Sequence, residues 1–201
     1  MSAQQAVLLA TANAHKVREF ERLLVPIQVD PLPAGVVLPP ETGDSYSANA
    51  LIKARAAAQA TGRLAIADDS GIEAEALGGA PGIRSARFAG EEATDAENLA
   101  LLIERVPAGT RLEYVCVIAL VDPSDGSHRL FEGRCVGKMA LQPSGAGGFG
   151  YDPIFVADTK RLEGSGTITM AELSDAEKDA ISHRGAAARS LMVSRFGGQT
   201  G

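Results

Sequence analysis

The chain has 201 residues, 45% of them hydrophobic, with a formal net charge of -6 and a pI near 5.1. That balance argues against a polyanion as partner, because such binding needs many Lys and Arg side chains on phosphates; no apolar stretch approaches the roughly 18 residues of a membrane span. A globular, cytoplasmic protein is expected, built as one domain over 1–201 with two closely packed lobes, and lacking the basic flank and apolar core of a secretory signal.

In chain order, Ala6-Val7-Leu8-Leu9-Ala10 reads as a short buried strand and Thr11-Ala12-Asn13 as a turn, after which Val17, Phe20 and Leu24 mark the apolar face of a helix. A second helix covers about Ser45 to Thr61, rich in alanine and stopped by Gly62, with Asn49 and Lys53 four residues apart on one face. Leu64-Ala65-Ile66-Ala67 reads as a buried strand that stops at Asp68-Asp69-Ser70-Gly71. Beyond Ile72 to Leu77, the run Gly78-Gly79-Ala80-Pro81-Gly82 predicts an irregular loop. Thr94-Asp95-Ala96-Glu97 forms a capping-box pattern that opens a helix to about Arg105. Leu112 to Val121 and His128 to Met139 are β-rich, and Pro123-Ser124-Asp125-Gly126 between them predicts an antiparallel hairpin. A glycine-rich loop from Ser144 to Pro153 precedes a short strand, Ile154-Phe155-Val156, and Ser174-Asp175-Ala176-Glu177 opens a last helical region interrupted near Ser182 to Gly185. Strands alternating with helices, plus a hairpin, predict a mixed α/β sheet.

Several of these segments carry side chains suited to chemistry. Asp68 and Asp69 at a strand end supply hard oxygen ligands for Mg²⁺, which binds through one or two carboxylates plus substrate phosphates; the same four residues, Asp-Asp-Ser-Gly, also suit a plain turn. Thr11-Ala12-Asn13-Ala14-His15-Lys16 lies between a strand and a helix, where backbone N–H groups and the helix dipole favour phosphate, and Lys16 adds a full charge. It lacks the glycines of a Walker A loop. Glu41 follows two prolines in a loop, where it is either a third metal or water ligand or a solvated glutamate; Lys53 could reach a phosphate or a carboxylate. Gly147-Gly148-Phe149-Gly150-Tyr151-Asp152-Pro153 holds aromatic faces that either stack on a base or anchor in the core. Lys178, His183 and Arg184 are donors able to read carbonyl oxygens on a ligand. Cys116 and Cys135 fall inside apparent strands and read as core thiols, and three histidines without a cysteine at ligand spacing argue against zinc.

Taken together, Asn13 with Lys16, Glu41-Thr42-Gly43, Asn49-Ala50 with Lys53-Ala54, Asp68-Asp69-Ser70-Gly71, Gly79-Ala80-Pro81-Gly82, Ser85-Ala86-Arg87, Gly148-Phe149-Gly150-Tyr151-Asp152-Pro153, Ala171-Glu172-Leu173, Glu177-Lys178 and Ser182-His183-Arg184-Gly185 resemble the inosine/xanthosine triphosphate pyrophosphatase family. The match runs in order along nearly the whole chain. The resemblance implies an elongated, two-lobed α/β fold with the active-site cleft between lobes, a homodimer, and Mg²⁺-dependent hydrolysis of non-standard purine nucleoside triphosphates to monophosphate and pyrophosphate. It assigns Thr11, Ala12, Asn13, Ala14, His15 and Lys16 to the triphosphate, Asp69 to the role of metal-bound general base, and Glu41 and Asp68 to the other acidic positions of the metal site. Lys16 and Lys53 would stabilise charge on the leaving group. Ser70 would touch substrate, Phe149 would stack on the base within the loop Phe149, Gly150, Tyr151 and Asp152, and Lys178, His183 and Arg184 would read its edge.

The chain departs from that pattern at Tyr46 and Ala48, where many relatives have Phe and Glu, at Arg84, often aromatic, and in a longer stretch from Asp158 to Ile168. Two rivals compete with this reading. One is a Maf-type pyrophosphatase acting on pyrimidine or modified nucleotides, against which the Phe149 and His183-Arg184 motifs speak; the other is a nucleotide-binding regulatory module, against which Lys16, Glu41, Asp68 and Asp69 together speak.

Overall fold

The computed structural model describes residues 6–158 and 168–196. Six strands make one sheet in the order β2-β1-β3-β4-β5-β6, comprising β1 (Ala6–Leu9), β2 (Gln28–Pro31), β3 (Ala65–Ala74), β4 (Arg111–Val121), β5 (His128–Met139) and β6 (Phe155–Ala157). β1 pairs in parallel with β2 and with β3, where Leu8 and Leu9 sit opposite Ala65 and Ile66. β5 and β6 are antiparallel, with Gly137 opposite Ala157; a Cβ at Gly137 would stand 2.3 Å from the Val156 carbonyl oxygen, so only glycine permits this pairing. The helices are α1 (Ala14–Leu23), α2 (Tyr46–Thr61), α3 (Asp95–Arg105), α4 (Asp175–Ile181) and α5 (His183–Phe196). None among the described residues is long and apolar enough to cross a membrane.

The mixed α/β sheet agrees with the pattern in the sequence, with three differences. β2 has no sequence signal, being a four-residue edge strand that ends on Pro31, which cannot donate to a ladder. β3 does not stop at Asp68. It runs on through Asp69, Ser70 and Gly71 to Ala74: β4 lies beside it in the sheet and, beyond the Ala65 and Ile66 positions that β1 reaches, Ser85 Oγ accepts from Ile72 N and Ala80 O from Ala74 N, which outweighs the local turn preference. The interruption expected over Ser182 to Gly185 shrinks to Ser182 alone, in an extended conformation; its Oγ accepts from Gly185 N at 3.0 Å, so that His183 and Arg184 form the first turn of α5. The longer stretch between Asp158 and Ile168 lies outside the described residues.

The chain divides into two compact units. The first comprises Met1–Asp69, Cys116–Gly133 and Ala187–Gly201. Strand alternation splits its core: Val7, Leu9 and Ile66 pack with Phe20 of α1 and Leu191 of α5, while Leu8, Ala65 and Ala67 pack with Ala50, Ala54 and Ala57 of α2. Fully buried Phe20 and Leu24 contribute roughly 1.5–3 kcal/mol each by leaving water. α2 is capped by Ser45, whose Oγ accepts from Ala48 N, and closed by Gly62 in the left-handed region. Its alanine face packs closely on the sheet, and the same face carries Asn49 and Lys53 out of water.

The second unit comprises Ser70–Val115 and Arg134–Ala186. Its core gathers Ile72, Leu102, Leu112, Tyr114, Tyr151 and Phe155. The capping boxes read at Thr94 and Ser174 are both formed. Gly147 N donates to Ala171 O at 2.9 Å, and a Cβ on Gly145 would lie 2.5 Å from the Ala171 backbone, which fixes the glycine-rich loop against Met170–Glu172. Cys116 and Cys135 are buried free thiols, and burial pushes Cys135 up to about 12.

Candidate active site

In the first unit the acidic residues come from β3 and the loop before α2. Because side chains alternate along a strand, Asp68 continues the Ile66 row and Asp69 the Ala67 row, on opposite faces of the sheet. Asp68 Oδ2 accepts from Lys16 Nζ of α1 at 2.9 Å; the carboxylate is fully buried and the lysine partly exposed. Asp69 Oδ2 accepts from Asn49 Nδ2 of α2 at 3.0 Å. Glu41 accepts from Lys53 Nζ at 2.5 Å. Burial alone would lower the pKa of the Lys53 ammonium, yet the charges of Asp68, Glu41 and Asp69 raise it overall. Burial lifts the Asp69 carboxyl above its ordinary value, with Glu41 adding to the rise and Lys53, Asn49 and Lys16 opposing it.

The three expected metal ligands therefore do not form one cluster: among the described residues no three His, Cys, Asp or Glu side chains gather where they could hold an ion. Glu41 and Asp69 both meet residues of α2, at Lys53 and Asn49, while Asp68 meets Lys16. The Thr11 to Lys16 loop is tightly self-bonded. Asn13 caps α1, its Oδ1 accepting from His15 N at 2.8 Å and from Lys16 N at 3.3 Å, and Thr11 Oγ1 accepts from Asn13 N. Two backbone donors expected to face phosphate are thus engaged by a carboxamide. Ala12 and Ala14 are exposed, and His15 Nδ1 accepts from Arg18.

In the second unit the recognition candidates converge on Asp152. Its Oδ2 accepts from Lys178 Nζ at 2.7 Å and from Phe149 N at 2.9 Å, and its Oδ1 accepts from Tyr114 Oη at 3.2 Å. A Cβ at Gly148, which has φ +67°, would lie 2.0 Å from that carboxylate, so glycine is required there twice over. The half-buried Phe149 ring has Lys178 Nζ 5.1 Å and Arg184 Cζ 5.7 Å from its centre. Arg184 donates to Ser70 Oγ at 2.9 Å. His183 stacks flat on Tyr114, with centres 4.5 Å apart and planes 12° apart. Gly150, at φ +61°, turns the chain back, and Tyr151 points into the core, its Oη donating to Ser85 O at 2.7 Å. Of the two aromatics in this loop, only Phe149 remains as a stacking surface.

Residues 7–194 match the model of the Ham1 family. The chain belongs to the Ham1 family. A dITP/XTP pyrophosphatase from Deinococcus radiodurans is 46% identical over 93% of this chain and 91% of its own length. Among solved structures, a HAM1 protein from Coxiella burnetii superposes with TM-score 0.79 at 40% identity, over 94% of this chain and 97% of its own. A nucleoside-triphosphatase, dITP/XTP pyrophosphatase, from Mycobacterium abscessus gives TM-score 0.70 at 41% identity, over 93% and 98%.

Two residues of this Ham1 site carry more of the geometry than their sequence context announced. Asn49, fully buried, accepts from Gly43 N at 2.8 Å through Oδ1 while donating to Asp69, so one side chain ties the Glu41 loop to β3. Its spacing from Lys53 was the signal. Tyr114 lies in a run of apolar strand residues, and no local signal marks it. The Ala48 departure sits beside Gly43, where a Cβ would meet Ala48 Cβ at 2.6 Å; Tyr46 is buried and Arg84 exposed. Asn49→Ala is expected to destabilise the protein by roughly 1–3 kcal/mol, since it takes a bond from the buried Asp69 carboxylate and another from the half-buried Gly43 N. It also lowers turnover, and chemical denaturation with pyrophosphate release checks both.

Proposed function

We propose that the chain hydrolyses ITP, dITP and XTP to the monophosphate and pyrophosphate, removing non-standard purine nucleotides from the pool. The observation that carries the reading is a buried ammonium, Lys53, paired with Glu41 at 2.5 Å, on the same helix face as Asn49, which holds the buried carboxylate of Asp69 at 3.0 Å. Asp69, poised nearer neutrality than an ordinary aspartate, acts as general base and takes the proton of the water that attacks the α-phosphorus, with pyrophosphate leaving. Lys53 and Lys16 meet the charge that builds on the leaving group. Asp68 holds Lys16 in place for that role. The loop from Thr11 to Lys16 takes the triphosphate, with Lys16 as its charged member.

The donor set of Glu41 and Asp69 is all hard oxygen on adjoining segments tied by Asn49, which suits Mg²⁺ bound by two carboxylates and completed by phosphates and water. When bound, Mg²⁺ neutralises phosphate charge and lowers the pKa of a coordinated water. For the base, Phe149 supplies the stacking face, Lys178 and Arg184 supply donors beside it, and His183, adjacent to Arg184 at the start of α5, supplies a third. Hypoxanthine and xanthine offer a 6-carbonyl to those donors. Adenine offers an amino group instead and leaves buried donors unpaired, at about 1–3 kcal/mol each. Ser70, bonded to Arg184, steadies that guanidinium, and Asp152 steadies Lys178. A homodimer in the cytoplasm, with a small nucleotide rather than nucleic acid or membrane as partner, completes the reading; sedimentation at twice the mass of one chain checks the first point.

The test is pyrophosphate release from ITP, XTP, dITP, ATP, GTP, dTTP and UTP, with and without Mg²⁺, phosphate being measured separately. Mg²⁺-dependent release confined to ITP, dITP and XTP is expected. Activity on pyrimidines overturns the proposal in favour of a Maf-type enzyme, and binding without turnover overturns it in favour of a regulatory module.

A further inference from the structure

Tyr114 lies on β4 in the core of the second unit, where a phenylalanine would fill the same space. A buried hydroxyl costs free energy unless it is hydrogen-bonded, so its presence calls for a partner. That partner is Asp152 Oδ1 at 3.2 Å, and the opposite oxygen of the same carboxylate holds Lys178 Nζ and Phe149 N. The Tyr114 ring also lies flat on the His183 imidazole, 4.5 Å between centres, and meets Phe155 at 4.4 Å with a 34° tilt. A single side chain therefore touches both the carboxylate that anchors one donor and the ring of another.

We propose that Tyr114 is a positioning residue for base selection, holding Lys178 and the Phe149 loop through Asp152 and holding His183 through its ring face. This rests on the reading that Lys178 and His183 recognise a purine carrying a 6-carbonyl. The hydroxyl restrains the Asp152 carboxylate from rotating about its own side chain, so Lys178 keeps one direction for its remaining donors. The stack restrains the imidazole plane at the start of α5. Burial, with the Asp152 charge beside it, lifts the phenol well above its ordinary value, so the group remains a donor throughout the working pH range. Tyr114 touches no substrate in this account, and the chemical step does not depend on it.

The experiment compares wild type with Tyr114→Phe, which keeps the ring and removes one oxygen. Steady-state constants for ITP and ATP and the melting temperature are measured on both, and the proton shifts of the three histidines on wild type, Tyr114→Phe and Tyr114→Leu. The expected result is a threefold to tenfold rise in KM for ITP with kcat within twofold and a matching fall in the ITP-to-ATP ratio of kcat/KM. One histidine, assigned to His183 by its loss in His183→Gln, should show ring protons displaced by an aromatic ring current in wild type and Tyr114→Phe, and released in Tyr114→Leu. Unchanged KM and unchanged ITP-to-ATP ratio in Tyr114→Phe overturn the proposal, as does a fall in kcat that follows lost melting temperature for all nucleotides alike. A wild type that does not prefer ITP overturns the underlying reading instead, and with it this one; the two failures are read on different proteins.

Discussion

Asp69→Asn is expected to lower pyrophosphate release by about 10³-fold, within the range a positioned general base contributes, while ITP binding stays within about threefold. The same variant is expected to melt at a higher temperature at pH 7. Burial raises the folded-state pKa of Asp69, with Glu41 adding to the rise. A raised folded pKa means that folding favours the protonated carboxyl: this contribution is full below the unfolded-state pKa and is lost as pH climbs through the folded value. At neutral pH the ionised group is therefore a cost to the fold, and an isosteric amide removes it while still accepting from Asn49. A gain of roughly 1 kcal/mol corresponds to about 2–4 °C in a chain of this size. The gain should shrink as pH falls through the raised folded-state value and wild-type Asp69 takes up its proton. Calorimetry at pH 7 and pH 4.5, with turnover and ITP titration, checks all parts. Undiminished hydrolysis removes Asp69 from the role of base, and a lower melting temperature at pH 7 would mean that Lys53 more than offsets its desolvation.

The second large effect is at the buried ion pair of the other unit. Lys178→Met leaves the Asp152 carboxylate, 4% exposed, without the ammonium 2.7 Å away. Breaking such a pair from one side costs about 3–5 kcal/mol, equivalent to a fall of roughly 6–20 °C. Adding Asp152→Asn removes the stranded charge; its one amide oxygen accepts from Phe149 N, and its amide nitrogen donates to Tyr114 Oη, whose hydroxyl turns to accept. The double variant is expected to recover most of the melting temperature but not the preference for ITP over ATP. That contrast separates the two roles of Lys178: stability depends on charge balance inside the unit, whereas selectivity depends on the donor itself. A double variant that regained selectivity would take Lys178 out of base reading, and one that stayed as unstable as Lys178→Met would show that the lysine's packing, and not its charge, holds the unit.

Much of this molecule is legible from local rules. α2 could be read to within a residue from Ser45, its alanines and Gly62, because a cap, a strong helix former and a left-handed stop are all local properties. The capping boxes at Thr94 and Ser174 and the β4–β5 hairpin follow for the same reason. Belonging to a family was also legible, since ordered motifs along the chain carry it without any coordinates.

The sequence by itself thus determined the types of most elements, the chemical inventory of the site and the family. Tertiary structure decided what contacts what. Asp68 and Asp69 are neighbours in sequence and favour a turn, yet flanking strands draw them into β3 and alternation sends them to opposite faces, so one meets Lys16 and the other Asn49. Tyr151 and Phe149 look equivalent in a glycine-rich loop; a buried carbonyl at Ser85 draws one inward and leaves the other as the stacking face. Tyr114 carries no local mark, because its partners Asp152 and His183 lie 38 and 69 residues away along the chain. Pairings over such distances depend on which elements pack together, and that is set by the summed burial of whole faces, not by any short stretch of residues.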